Sequence, residues 1–163
     1  MDEKFMTMAI EAAKSAALQD EVPVGAVLVR GEEVLAVTAN RKERDNCAVH
    51  HAEILAIEEA SAKVGNWYLD DCELYVTLEP CPMCAGAIVL SRLKGLYFGA
   101  QDPKSGALGS VYDLVGDGKL NHRMQVVGGV RKEECGSLLT DFFAAKRAQI
   151  KRAKEERNAP KED

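Results

Sequence analysis

The feature that most restricts how this chain can fold is a set of metal-ligand side chains split between two segments, His51-Ala52-Glu53 and Pro80-Cys81-Pro82-Met83-Cys84. Cys81 and Cys84 stand three positions apart at an expected helix start, so their sulfurs point the same way. Free N–H groups and the positive dipole end at that terminus favour thiolates. His51 sits at the start of another expected helix and offers an imidazole as third donor. Two thiolates and one imidazole suit zinc, one ion per chain. Three protein ligands leave the fourth tetrahedral position to water, the pattern of a catalytic rather than a structural site. A fold that uses these residues must bring the two helix starts together.

Zinc lowers the pKa of bound water enough to supply hydroxide near neutral pH, and the proton released needs an acceptor. Glu53, two residues from the histidine, is placed to take that proton and pass it on. Either motif alone is weak. A lone Cys-x-x-Cys could be a redox pair or half of a structural zinc site. No second pair completes a four-cysteine site, and the Pro-Cys-Pro-Met-Cys context does not follow the thioredoxin pattern. The His-x-Glu register selects His51 as ligand, which leaves its neighbour His50 as a loop or helix-cap residue rather than a substrate contact.

Length and composition set the frame. The chain has 163 residues, 47% of them apolar and 29% charged, which suits one soluble domain over 1–157 followed by a polar tail over 158–163. No apolar run approaches the ~20 residues that cross a bilayer. The opening MDEKFMTMAIEAAKSAALQ is acidic and helix-patterned and lacks the parts of a signal peptide, so a cytoplasmic location without membrane attachment is expected. Five cysteines, with only Cys81 and Cys84 close together, argue against a disulfide scaffold. Cys47, Cys72 and Cys135 read as small buried apolar residues.

The formal net charge of −5 opposes a nucleic-acid partner, but the distribution is uneven. Between Lys146 and Arg157, six basic side chains face two acidic ones, a local +4 that leaves −9 for the rest. Such a helix suits phosphate contact, and from charge alone it suits a solvated face equally well.

Hydrophobic periodicity predicts a helix over roughly 2–19, strands over 22–29 and 34–39, and a helix over about 50–64. A strand over 73–78 follows, then a helix opened by Pro82 in its first turn. Short strands are expected at 96–99 and 125–130, a Gly-rich loop at 100–110, and a last helix over about 133–156. The order is a hairpin followed by helices alternating with strands, so the class is α/β with parallel pairing in the second half. Strand order does not follow from the pattern.

The paired motifs match the H-x-E…P-C-x-x-C signature of zinc nucleobase deaminases. Beyond that signature the chain resembles the bacterial tRNA adenosine deaminases, from about Met8 to Arg152. The resemblance is carried by Glu21 to Val27, Asn40-Arg41, His51 to Ile54, Leu74 to Cys81 and Met83 to Ile88. It is narrowed by the Asp102-Pro103-Lys104-Ser105-Gly106-Ala107 loop with Gly109-Ser110, by Asn121-His122-Arg123 and by Asp141-Phe142-Phe143.

The resemblance implies a cytidine deaminase-like three-layer α/β/α sandwich around a five-stranded mixed sheet. It implies hydrolysis of adenosine to inosine at the wobble position of a tRNA anticodon, in a homodimer whose two subunits help form each site. Position by position, His51, Cys81 and Cys84 match zinc ligands, Glu53 the proton shuttle, and Asn40 the asparagine that hydrogen-bonds the nucleoside. The Ala52 backbone lies against the purine edge. Asp102, Lys104, Asn121, His122, Phe143 and Arg147 fall where the family meets the anticodon stem-loop. His50, where a small residue is usual, and Lys42, where some relatives carry proline, depart from the pattern. Two alternatives stay open: a deaminase of free bases or nucleotides (guanine, cytosine or dCMP) with the same zinc site, and a non-catalytic zinc-containing RNA-binding subunit.

Overall fold

In the opening segment, apolar residues at helical spacing form α1 (Glu3–Leu18), whose N-cap Asp2 accepts a hydrogen bond from the Lys4 N–H at 3.0 Å. Its buried stripe is Phe5, Met6, Ala9, Ile10, Ala13 and Ala16. The computed structural model describes residues 1–159. β1 (Gly25–Arg30) and β2 (Glu33–Ala39) form the expected antiparallel hairpin. After α2 (Ala52–Val64), β3 (Glu73–Leu78) returns antiparallel to β1. α3 (Pro82–Leu90) then crosses to β4 (Gly95–Ala100), parallel to β3, and β5 (Gln125–Val127) extends the sheet in parallel. The strand order is β2-β1-β3-β4-β5, a mixed sheet, and α4 (Lys132–Asn158) completes the described chain.

The period-2 alternation of the central strands divides the core into two layers. Ala26, Leu28, Leu74, Val76, Leu96 and Phe98 face α2 and α3, joining Ala52, Ala56, Ala60 and Ile88. The intervening Val27, Val29, Tyr75 and Tyr97 face the other way, onto Phe5, Met6, Ala9 and Ile10 of α1 and Cys135 of α4. Tyr75 and Tyr97 stack at 4.7 Å between ring centroids, and the Tyr75 hydroxyl accepts the Asp2 N–H at 3.0 Å. The result is the three-layer α/β/α arrangement. Close packing of α1 on β1 requires Gly25, because a Cβ there would sit 1.9 Å from the Ala9 carbonyl oxygen.

Several boundaries move. The first strand begins at Gly25 rather than at Val22. α2 begins at Ala52, with His51 in extended conformation as its N-cap. β5 stops at Val127 instead of running to Val130, because Gly129 (φ 83°) and Arg131 (φ 53°) turn the chain into α4. α4 continues through Asn158, two residues past its expected end. Of the expected tail, Asn158 is thus helical, and 160–163 lie outside the described residues. Cys72 and Cys135 are buried as expected. Cys47 is not; it is half-exposed in the polar loop before α2. Among the described residues, no helix is long and apolar enough to cross a membrane.

Candidate active site

Two helix N-termini meet at the carboxyl end of β3, the end of an α/β sheet where ligands bind. His51 caps α2, Cys81 caps α3, and Cys84 is the third residue of α3 after Pro82 in its first turn. A further tie holds α2 in place: the Thr38 hydroxyl on β2 donates to the Ala52 carbonyl at 2.7 Å. His51 Nδ1 lies 3.7 Å from Cys81 Sγ and 3.5 Å from Cys84 Sγ, and the three donor atoms lie within 4.8 Å of one another. Tetrahedral zinc with ordinary bond lengths separates a nitrogen and a sulfur ligand by ~3.6 Å. The observed spacing and the donor set therefore fit that ion.

The electrostatics agree with ligand chemistry. The Cys84 thiol, and after it His51, hold Cys81 down to about 4, so this sulfur is a thiolate at neutral pH. Cys84 is raised by its contact with Cys81 and by burial. Glu53, the second residue of α2, is buried, and burial lifts its carboxyl to about 7, with His51 acting in the opposite direction. A carboxyl poised there exchanges protons readily near neutrality.

Glu53, His51, Ala52, Cys81, Asn40 and Asp102 share a cavity of about 190 Å³. Asn40 is buried, with its amide nitrogen donating to the Val22 carbonyl at 3.3 Å and its oxygen accepting the Lys42 N–H at 3.2 Å. Asp102 folds its own loop, accepting the Lys104 N–H at 2.9 Å and the Ser105 hydroxyl at 2.7 Å. A wider depression of about 600 Å³ shares Val22, Leu78, Asp102 and Ser105 with this cavity and adds Lys104, Phe143 and Arg147. Phe143 is 43% exposed, so this ring is not core.

Asn121 and His122 do not line the cavity. Asn121 is exposed, and the half-buried His122 donates from Nε2 to the Leu93 carbonyl at 2.6 Å. His50 is a loop residue: its Nδ1 lies 2.7 Å from Asp45 Oδ2, which also accepts from Arg41 Nε at 2.9 Å. His50 first, and Arg41 after it, hold Asp45 below the usual carboxylate range. The trio braces the loop that follows Asn40.

Sequence reasoning missed two buried carboxylates beside the site. Glu21 accepts the N–H groups of Glu43 and Arg44 at 3.2 and 2.5 Å, holding the same loop from below. Glu79 gathers a set of donors from the loop 101–110. Both lie in segments quoted for the family resemblance, which gave a position but no role.

The MafB19-like deaminase family model matches residues 1–147. The tRNA-specific adenosine deaminase of Bacillus subtilis (strain 168) is 48% identical over 153 residues, which cover 94% of this chain and 95% of that protein. Its Haemophilus influenzae counterpart is 44% identical over 151 residues, covering 92% and 87%. A structure from studies of A-to-I editing by tRNA:A34 deaminases at the wobble position of transfer RNA superposes with a TM-score of 0.82. It is 42% identical, and the match covers 85% of this chain and all of that one. A guanine deaminase from Nitrosomonas europaea matches at 26% identity and a TM-score of 0.77, covering 88% and 85%. With its helix-start ligand set, its buried Glu53 and this breadth of similarity, the chain belongs to the tRNA-specific adenosine deaminases, within the MafB19-like deaminase family.

Proposed function

We propose that this protein deaminates adenosine to inosine at the wobble position of a tRNA anticodon, by zinc-dependent hydrolysis. The observation that carries the reading is the buried Glu53 carboxyl on the same cavity as His51 and Cys81, with Cys84 clustered beside them, in a chain of this family. Those three side chains would hold the zinc ion. When bound, zinc supplies Lewis-acid activation of water.

Glu53 takes a proton from the water that adds to C6 of adenine and delivers it to the ring nitrogen N1. It takes the remaining proton of the new hydroxyl and hands it to the C6 amine, which leaves as ammonia while C6 becomes a carbonyl. One water is consumed, one ammonia is released, and Glu53 ends as it began. Asn40 hydrogen-bonds the nucleoside, and the Ala52 backbone lies against the purine edge.

C6 can be reached only when the base is out of its stack, which a single-stranded anticodon loop allows. The depression beyond the cavity carries what such a loop needs: the exposed Phe143 ring for a base, and Lys104 and Arg147 for phosphates. Asp102 joins the cavity to that depression. Asn121 and His122, which lie off their own chain's cavity, are assigned to the second site of a homodimer. The described chain through α4 acts as one catalytic domain, and the reaction is assigned to the cytoplasm.

The test incubates the purified protein with an anticodon stem-loop carrying adenosine at the wobble position, beside free adenosine, guanine and cytosine. Inosine in the RNA is the expected product. Turnover of a free base without inosine in the RNA would overturn the reading in favour of a free-base deaminase, the activity named for the Nitrosomonas europaea relative.

A further inference from the structure

Glu79 lies between the end of β3 and the Pro80-Cys81 turn, and it is 2% exposed. A carboxylate so placed is unfavourable unless hydrogen bonds replace its water. All four that it accepts come from a single loop. Oε2 accepts the Asp102 N–H at 3.0 Å and the Ser110 hydroxyl. Oε1 accepts the N–H groups of Leu108 and Ser110 at 2.9 and 3.1 Å. The loop closes over it so tightly that a Cβ on Gly106 would lie 2.4 Å from Oε2. The adjacent backbone adds two bonds, from Glu79 N–H to the Ala100 carbonyl at 2.8 Å and from Ala107 N–H to the Pro80 carbonyl at 2.9 Å.

This loop carries no helix or strand of its own, yet it supplies Asp102 and Ser105 to the cavity and Lys104 to the depression beside Phe143 and Arg147. Glu79 therefore latches one wall of the recognition surface to the turn that carries Cys81. We propose that Glu79 is a positioning residue for the nucleic-acid substrate, setting the loop 101–110 against the RNA and leaving proton transfer to Glu53. The proposal rests on the tRNA reading above for the identity of the ligand.

The test replaces Glu79 with Gln in the full-length, zinc-loaded protein. An amide offers one acceptor oxygen and one NH2 group, so at least one loop N–H faces another donor. The expected result is a KM for the stem-loop raised at least 10-fold, with kcat within about 3-fold of wild type and zinc content unchanged. Ser110→Ala removes one partner from the loop side and should raise KM by about 3-fold. Its effect should not multiply with that of Glu79→Gln, because the two changes break one shared contact. If Glu79→Gln fails to fold, Ser110→Ala alone decides, and an unchanged KM in it overturns the proposal. A loss confined to kcat, a loss of zinc, or no change in either constant also overturns it. If the wild-type protein makes no inosine, the functional reading fails separately. Glu79 is then judged by the Kd for the same stem-loop, which must rise in the variant; an equal Kd overturns the proposal.

Discussion

In the proposed mechanism Glu53 moves the protons while His51, Cys81 and Cys84 would hold the metal, and two of these roles have a measurable signature. Glu53→Gln keeps the shape of the cavity and removes the proton carrier. The stem-loop assay should then show kcat lowered by roughly 10²–10⁴-fold, with zinc retained by elemental analysis. A rate near wild type would remove Glu53 from the mechanism. Cys84→Ala deletes one of the two proposed sulfur ligands and should lower zinc content; full occupancy would refute the ligand set. Burial pushes Cys72 up to about 12 and Cys135 up to about 11, so both thiols stay protonated at pH 8. A thiol reagent should accordingly label the half-exposed Cys47 ahead of both, and early labelling of Cys72 would contradict this packing. The His51, Cys81 and Cys84 cluster was legible in the sequence because coordination chemistry limits which residue types and spacings work. Glu21 and Glu79 were not legible as clamps. An acid beside a loop reads as surface until its backbone partners, distant in the chain, are known.

Helices and strands emerged largely where periodicity put them, and the differences have local causes. His51 stays extended before α2, which turns its ring toward the cysteines instead of into a helical turn. The Gly128-Gly129 pair cuts β5 short, and Gly128 lies so close to the Phe98 ring that a Cβ would meet it at 2.4 Å. Gly25 tests how closely α1 sits on the sheet. In Gly25→Ala the new methyl would meet helix backbone, the Ala9 carbonyl oxygen at 1.9 Å and the Ala13 nitrogen at 2.8 Å, rather than a flexible side chain. The helix must shift, at a cost of about 1–3 kcal/mol in urea unfolding. An unchanged midpoint would show that α1 packs less tightly than the structure has it.

Charge acts across the whole molecule. A chain with net −5 needs local cations to meet RNA, and α4 carries several of them. They are not equivalent. Lys146 is paired with Asp20 at 2.5 Å, whereas Arg147 lines the depression beside Lys104. Arg147→Ala should therefore weaken stem-loop binding at low salt and reduce the slope of log K against log salt by about 1. An unchanged slope would remove Arg147 from the phosphate contacts. Lys146→Ala should change the slope less, since its charge is already partly neutralised within the fold.

The His51, Cys81 and Cys84 cluster, the placement of Glu53 beside it and the α/β class were readable along the chain. Ligand chemistry restricts spacing, and period-2 and period-3.6 patterns record burial one element at a time. The strand order β2-β1-β3-β4-β5 was not readable, nor were the carboxylate clamps of Glu21 and Glu79, the tie of His122 to Leu93, or the bracing of His50 by Asp45. Most of these are contacts between residues far apart in sequence. Their free energy depends on water excluded and donors met in three dimensions, and neither quantity leaves a trace in local composition.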